Sequence, residues 1–154
     1  MFTKSDIEAY FTGEKQESLL FLFIGIAGIS TAIIFFFLLK TSFYLGAAIP
    51  LLVIGLLLAI VGYTIYKRSD NDRKRNVYAY DMNPSALKEK ELPRMKKVMK
   101  NFVIYRWVEI FLFLLGTGLY ICFIRDFKHD FWRGFGLALA VMALLALTAD
   151  YFAE

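Results

Sequence analysis

Four stretches of this chain lose nearly all their polar positions: residues 18–39, 43–66, 102–124 and 131–149. A helix needs ~20 residues to cross a ~30 Å hydrocarbon layer, and all four qualify. Their apolar residues run all round a helix rather than along one stripe, which is the pattern of a helix surrounded by lipid or protein. The first two runs are joined only by Lys40-Thr41-Ser42 and the last two only by residues 125–130. Links this short force tight hairpins and antiparallel neighbours. The expected fold is therefore an all-α integral membrane protein, with four transmembrane helices in an antiparallel bundle.

The polar remainder divides into a lead and a loop. Residues 1–17 carry Asp6, Glu8, Glu14 and Glu17 against Lys4 and Lys15, with Ile7, Tyr10 and Phe11 at i, i+3 and i+4. Ser5 followed by Glu8 fits a capping box. This predicts an N-terminal amphipathic helix that lies on the membrane surface and ends at Gly13, or that docks on another protein. In the loop 67–101, residues 67–75 read as a charged, solvated turn. Asn83-Pro84 offers a start for a short helix, and Leu92-Pro93 interrupts it. From Pro93 the chain can run helically into the third span, with Met95, Met99 and Phe102 on one stripe and Arg94, Lys96, Lys97 and Lys100 around it. Pro50, inside the second span, removes a backbone donor and predicts a kink.

Composition excludes an ordinary soluble domain: 58% of residues are hydrophobic and 18% aromatic, with a mean hydropathy of +0.53. The acidic lead and the lack of a small-residue cleavage site predict that no signal peptide is removed. Eleven of the 18 Lys and Arg lie in the loop 67–101. With both termini inside, Lys4 and Lys15 join those eleven in the cytoplasm, against Lys40, Arg125, Lys128 and Arg133 outside. The positive-inside rule then puts both termini in the cytoplasm. A bacterial plasma (inner) membrane, with anionic lipids under the basic loop, is the expected location. Arg73, Lys74, Arg75, Arg94, Lys96, Lys97 and Lys100 are the expected lipid or partner contacts.

Small residues fall on single faces: Gly25, Gly28 and Ala32 in the first span, Gly55, Ala59 and Gly62 in the second, and Gly136, Ala140 and Ala143 in the fourth. Such faces let backbones approach where lipid supplies no hydrophobic drive, within the chain, in a homo-oligomer or against a partner. Charge at membrane depth is the sharper signal. Arg106 and Glu109 lie on one face of the third span, Asp150 ends the fourth and Glu17 opens the first. Such groups are costly unless paired, so they are expected to cluster, as a clamp between helices or as a polar cavity open to the cytoplasm. The halves show no convincing repeat, and Pro50 has no counterpart in the fourth span.

Enzyme signatures are not found, so no catalytic residue is assigned. The chain lacks H-E-x-x-H, G-x-S-x-G and a phosphate-binding glycine loop. Cys122, the single cysteine, excludes an intrachain disulfide and reads as a small hydrophobe packed on a neighbour. No metal site and no cofactor are expected; Asp126, His129 and Asp130 read as an interfacial turn. Tyr78 and Tyr80 near the basic loop form no base-stacking motif, so nucleic acid is not an expected partner. The expected role is non-enzymatic: an inner-membrane protein that binds another membrane component. It would be an accessory subunit of a complex, or an immunity-type protein against a membrane-inserting toxin. The alternative is a small-molecule or lipid transporter that uses the cytoplasmic-side polar cluster.

Overall fold

The computed structural model describes residues 4–82, 89 and 91–153, and among these there are helices and turns but no strand. Four helices are long and apolar enough to span a membrane. They are α1 (Lys4–Ile34), α2 (Ser42–Met82), α3 (Leu92–Phe123) and α4 (Asp130–Ala153). α1 closes in a π-helical turn, Phe35–Leu39, where the Lys40 amide donates to the Phe35 carbonyl at 3.2 Å. Lys40 itself takes a left-handed backbone, φ 49°, and the chain reverses there. The second reversal is the 3-10 turn Phe127–His129, capped by the Asp126 carboxylate, which accepts from the Lys128 amide at 3.0 Å.

Two expected breaks do not occur. α1 runs through Gly13, so the acidic lead forms the first turns of the first apolar helix and not a separate surface helix. α2 likewise runs through residues 67–75, the expected turn, as far as Met82. One cause serves both: α1 and α2 keep packing on each other beyond their apolar parts. Lys4 pairs with Asp81 at 2.7 Å, Lys15 with Asp70 at 2.5 Å, and the Ser69 hydroxyl donates to the Phe11 carbonyl at 2.8 Å. A helical glycine costs only ~1 kcal/mol, which a packed neighbour offsets. The helix expected at Asn83-Pro84 lies outside the described residues. α3 starts at Leu92 with Pro93 in its first turn and runs without a break into its apolar part, as its spacing predicts. Pro50 is buried, and α2 is continuous through it.

Packing gives the order α1, α2, α4, α3, with a lesser contact between α1 and α4. The core joins Phe21 of α1, Leu58 of α2 and Met142, Ala146 and Ala149 of α4. α3 packs chiefly on α4. Its positions 102, 106, 109, 113, 116, 120 and 123 are all half-buried or buried and follow the 3.5-residue period of a coiled-coil seam. The small-residue faces are spent on these contacts. A Cβ at Gly25 would sit 2.5 Å from the Ala59 amide nitrogen, and one at Gly116 would sit 2.5 Å from that of Ala140.

The two hairpins meet through a reciprocal contact. α2 begins Phe43-Tyr44-Leu45-Gly46 and α4 begins Phe131-Trp132-Arg133-Gly134. A Cβ at Gly46 would strike the Phe131 carbonyl, 2.8 Å from its carbon, and one at Gly134 would strike the Phe43 carbonyl, also 2.8 Å from its carbon. Each glycine thus receives the other helix's backbone, the exchange that marks a two-fold contact. α2 and α4 run parallel from this point. The pairings α1 with α2 and α3 with α4 repeat on either side, an internal relation the sequence reading missed.

Candidate functional site

Two polar assemblies lie toward the chain-terminal end of the helices, away from both tight hairpins. The first is in the α3–α4 seam. Glu109 and Asp150 converge there with their carboxyls within hydrogen-bond reach, and the Arg106 charge acts on both. Asp150 is 9% exposed, and its Oδ2, like Glu109 Oε2, has no donor among the described residues. The seam period accounts for this placement, since 106 and 109 occupy successive seam positions on α3. Glu17 does not join them. It lies on α1, and its charged neighbour is Glu14.

The second assembly is a run of alternating charges across three helices. Glu14 of α1 faces Arg68 of α2 at 3.4 Å, and Arg68 Nε reaches Asp72 at 2.9 Å, an ion pair without hydrogen-bond alignment. Asp72 meets Arg75 at 3.0 Å, and Arg75 reaches Glu91 at 3.7 Å. Arg94 at the start of α3 grips Glu91, its Nε 2.6 Å from Oε1. The run closes because the Arg94 charge also acts on Glu14. Three carboxylates thus alternate with three guanidiniums, and Arg94 lies 5.9 Å from the centre of the buried Phe11 ring. This ring ties the beginning of α3 to the α1–α2 hairpin.

The expected basic patch is thereby divided. Arg75 and Arg94 belong to the ring, and Arg73 lies 3.8 Å from Asp70. Lys74, Lys96, Lys97 and Lys100 are exposed. Their ammonium groups have no ion-pair contact among the described residues. At the hairpin end, Asp126 holds the His129 Nδ1 at 2.7 Å, and this hydrogen bond keeps its carboxyl below the usual range. Asp130 pairs with Arg133 at 3.1 Å, and Arg133 lies over the Phe43 ring. Cys122 is exposed on α3 rather than packed on a neighbour.

Burial pushes the Glu14 carboxyl above its usual range, against the pull of Arg68 and Arg94. A carboxyl whose folded pKa is raised binds a proton more tightly in the folded state, so the folded state loses stability as pH rises through that window. The ring end of α1 should therefore gain hydrogen-exchange protection as pH falls from neutral toward the ordinary carboxylate range. Glu14→Gln should flatten that dependence. An unchanged profile in the variant would assign the dependence to another group.

A comparison of the chain with protein-family models, with curated proteins and with solved structures finds no match in any of the three. Fold and site together define its class: an all-helical chain with four helices able to span a membrane.

Proposed function

We propose that this chain is a non-enzymatic, multi-pass protein of a bacterial plasma membrane, with both termini and the segment 67–101 in the cytoplasm, and that it acts by binding another component of that membrane. The polar chemistry of the described residues is largely turned inward, into the charge ring and the α3–α4 seam, and the small-residue faces pack within the chain. The outer stripe of α3 is left to meet something else, and this observation carries the reading. Lys96, Lys100, Val103, Trp107, Phe111 and Leu114 follow one another along it, all exposed. The order is charge, then aromatic ring, then aliphatic side chain, matching the passage from headgroups through the interface into acyl chains.

Anionic lipid is the first occupant of this stripe, and an accessory role in a larger membrane complex or an immunity-type role is the function it would serve. Extraction from native membrane in mild detergent, with identification of what co-purifies, tests the reading. Replacing Lys96, Lys97 and Lys100 by Gln should leave insertion intact but strip bound anionic lipid or release the partner. Each lysine contributes ~1 kcal/mol near an anionic surface, so the wild-type association should also weaken with salt. Unchanged retention in the triple variant at low salt would reduce these lysines to a topology signal. Reporter fusions at residue 80 and at the C-terminus should both report the cytoplasm; an external residue 80 would overturn the orientation.

Transport of a small molecule or lipid is the second reading, favoured by the buried carboxyl pair of the α3–α4 seam. A groove of about 310 Å³ among α1, α2 and α4 offers such a substrate almost wholly apolar walls, among them Phe23, Leu51, Val141 and Met142, with Thr31 the exception.

A further inference from the structure

The α3–α4 seam holds more negative charge than the described residues supply positive charge to balance. Glu109 and Asp150 converge from two helices, and the cation that acts on both is Arg106. Fully ionised, the three groups would leave one negative charge uncompensated in the seam. Asp150 is more than nine-tenths buried, with an oxygen that no donor among the described residues reaches, and the buried Glu109 Oε2 is in the same state. An uncompensated charge in such a place is strongly unfavourable, yet a single added positive charge removes it.

We propose that Glu109 and Asp150 form a proton-binding site, holding one proton between their carboxyls beside Arg106. The proton makes one carboxyl a donor to the other, which satisfies a lone pair that otherwise has no partner. It also brings the seam to neutrality, as in carboxyl dyads that share one proton. A hard divalent ion fits poorly: it would seek six or more oxygens, where the seam offers two carboxyls and a guanidinium. The charges on the site come from α3 and α4 themselves. Of α1, Glu17 has Glu14 as its charged neighbour instead, and among the described residues no titratable group of α2 acts on either carboxyl. The site lies on the seam by which α4 holds α3, so gain and loss of the proton would tighten and loosen that grip. It stands on the seam geometry and does not rest on the reading of α3 as a partner-facing helix.

Infrared spectroscopy of the full chain in phospholipid nanodiscs, titrated through neutral pH, reads the protonated carboxyl directly. Wild type should show a protonated-carboxyl stretch at pH 7 that shifts in deuterium oxide. Glu109→Gln and Asp150→Asn should each abolish it, because the remaining carboxylate is then balanced by Arg106. The wild-type spectrum is decisive even where a variant folds poorly: no protonated carboxyl at pH 7 overturns the site. Persistence of the band in both variants also overturns it, by placing the proton elsewhere. Displacement of the band by sodium or calcium at constant pH would replace the proton site with a cation site.

Discussion

Gly134→Ala should cost about 3 kcal/mol, the upper end of what overpacking usually costs, and Gly46→Ala should cost as much. At both positions the added methyl meets a backbone carbonyl of the facing helix. A side chain could turn aside at no great cost, but a carbonyl in the first turn of a helix can move only if the helix moves. The α2–α4 crossing would have to open, and it is the junction between the two hairpins. Gly118→Ala is the control, since a Cβ there meets nothing within 4 Å. It should be neutral or gain up to about 1 kcal/mol from helix propensity. Thermal unfolding in one detergent compares the three. Gly46→Ala and Gly134→Ala load the same contact, so their combination should cost less than the sum. If Gly134→Ala melts with Gly118→Ala, the two hairpins do not meet as closely as described.

The four long apolar helices were legible because an unbroken apolar run of sufficient length says helix whatever its neighbours are. The seam placement of Arg106 and Glu109 was legible for a related reason, since charge at that depth must turn toward protein, and Asp150 lay at the matching end of α4. Glu17 was grouped with them by depth alone. Depth along the chain does not say which helices adjoin, and α1 lies on α2 and α4 rather than on α3. The continuation of α2 through 67–75 was illegible locally, because Lys-Arg-Ser-Asp-Asn-Asp-Arg-Lys-Arg is what a solvated turn looks like. Its helical character depends on partners in α1 and α3. Internal spacing gave some signal: Arg68 with Asp72 at i+4, Asp72 with Arg75 and Glu91 with Arg94 at i+3, which are helix-face pairings. The F-Y-L-G and F-W-R-G starts of α2 and α4 were visible, but two residues shared in four are too few to mark a repeat without the crossing that uses them.

Asp72→Asn should loosen the start of α3 from the α1–α2 hairpin at a cost of about 1.5 kcal/mol, because the carboxylate is buried while its two guanidiniums are partly in solvent. Asp72 is 4% exposed and is the one carboxylate that both Arg68 and Arg75 contact. Without its charge the two guanidiniums lose their shared partner, and water takes up part of the loss because they are 45% and 64% exposed. Arg68 then has Glu14 at 3.4 Å and Arg75 has Glu91 at 3.7 Å, longer contacts that do not replace the lost ones. The effect should be local. Hydrogen exchange and proteolysis should accelerate in the first turns of α1, in α2 beyond Lys67 and at Leu92, while the apolar core around Met142 keeps its protection. Arg73→Gln, which removes an exposed partner 3.8 Å from Asp70, should change stability by less than about 0.5 kcal/mol. The contrast separates a ring that holds three helices together from isolated pairs on a basic surface. Equal effects of the two substitutions, or none from Asp72→Asn, would dissolve the ring into ordinary surface pairs.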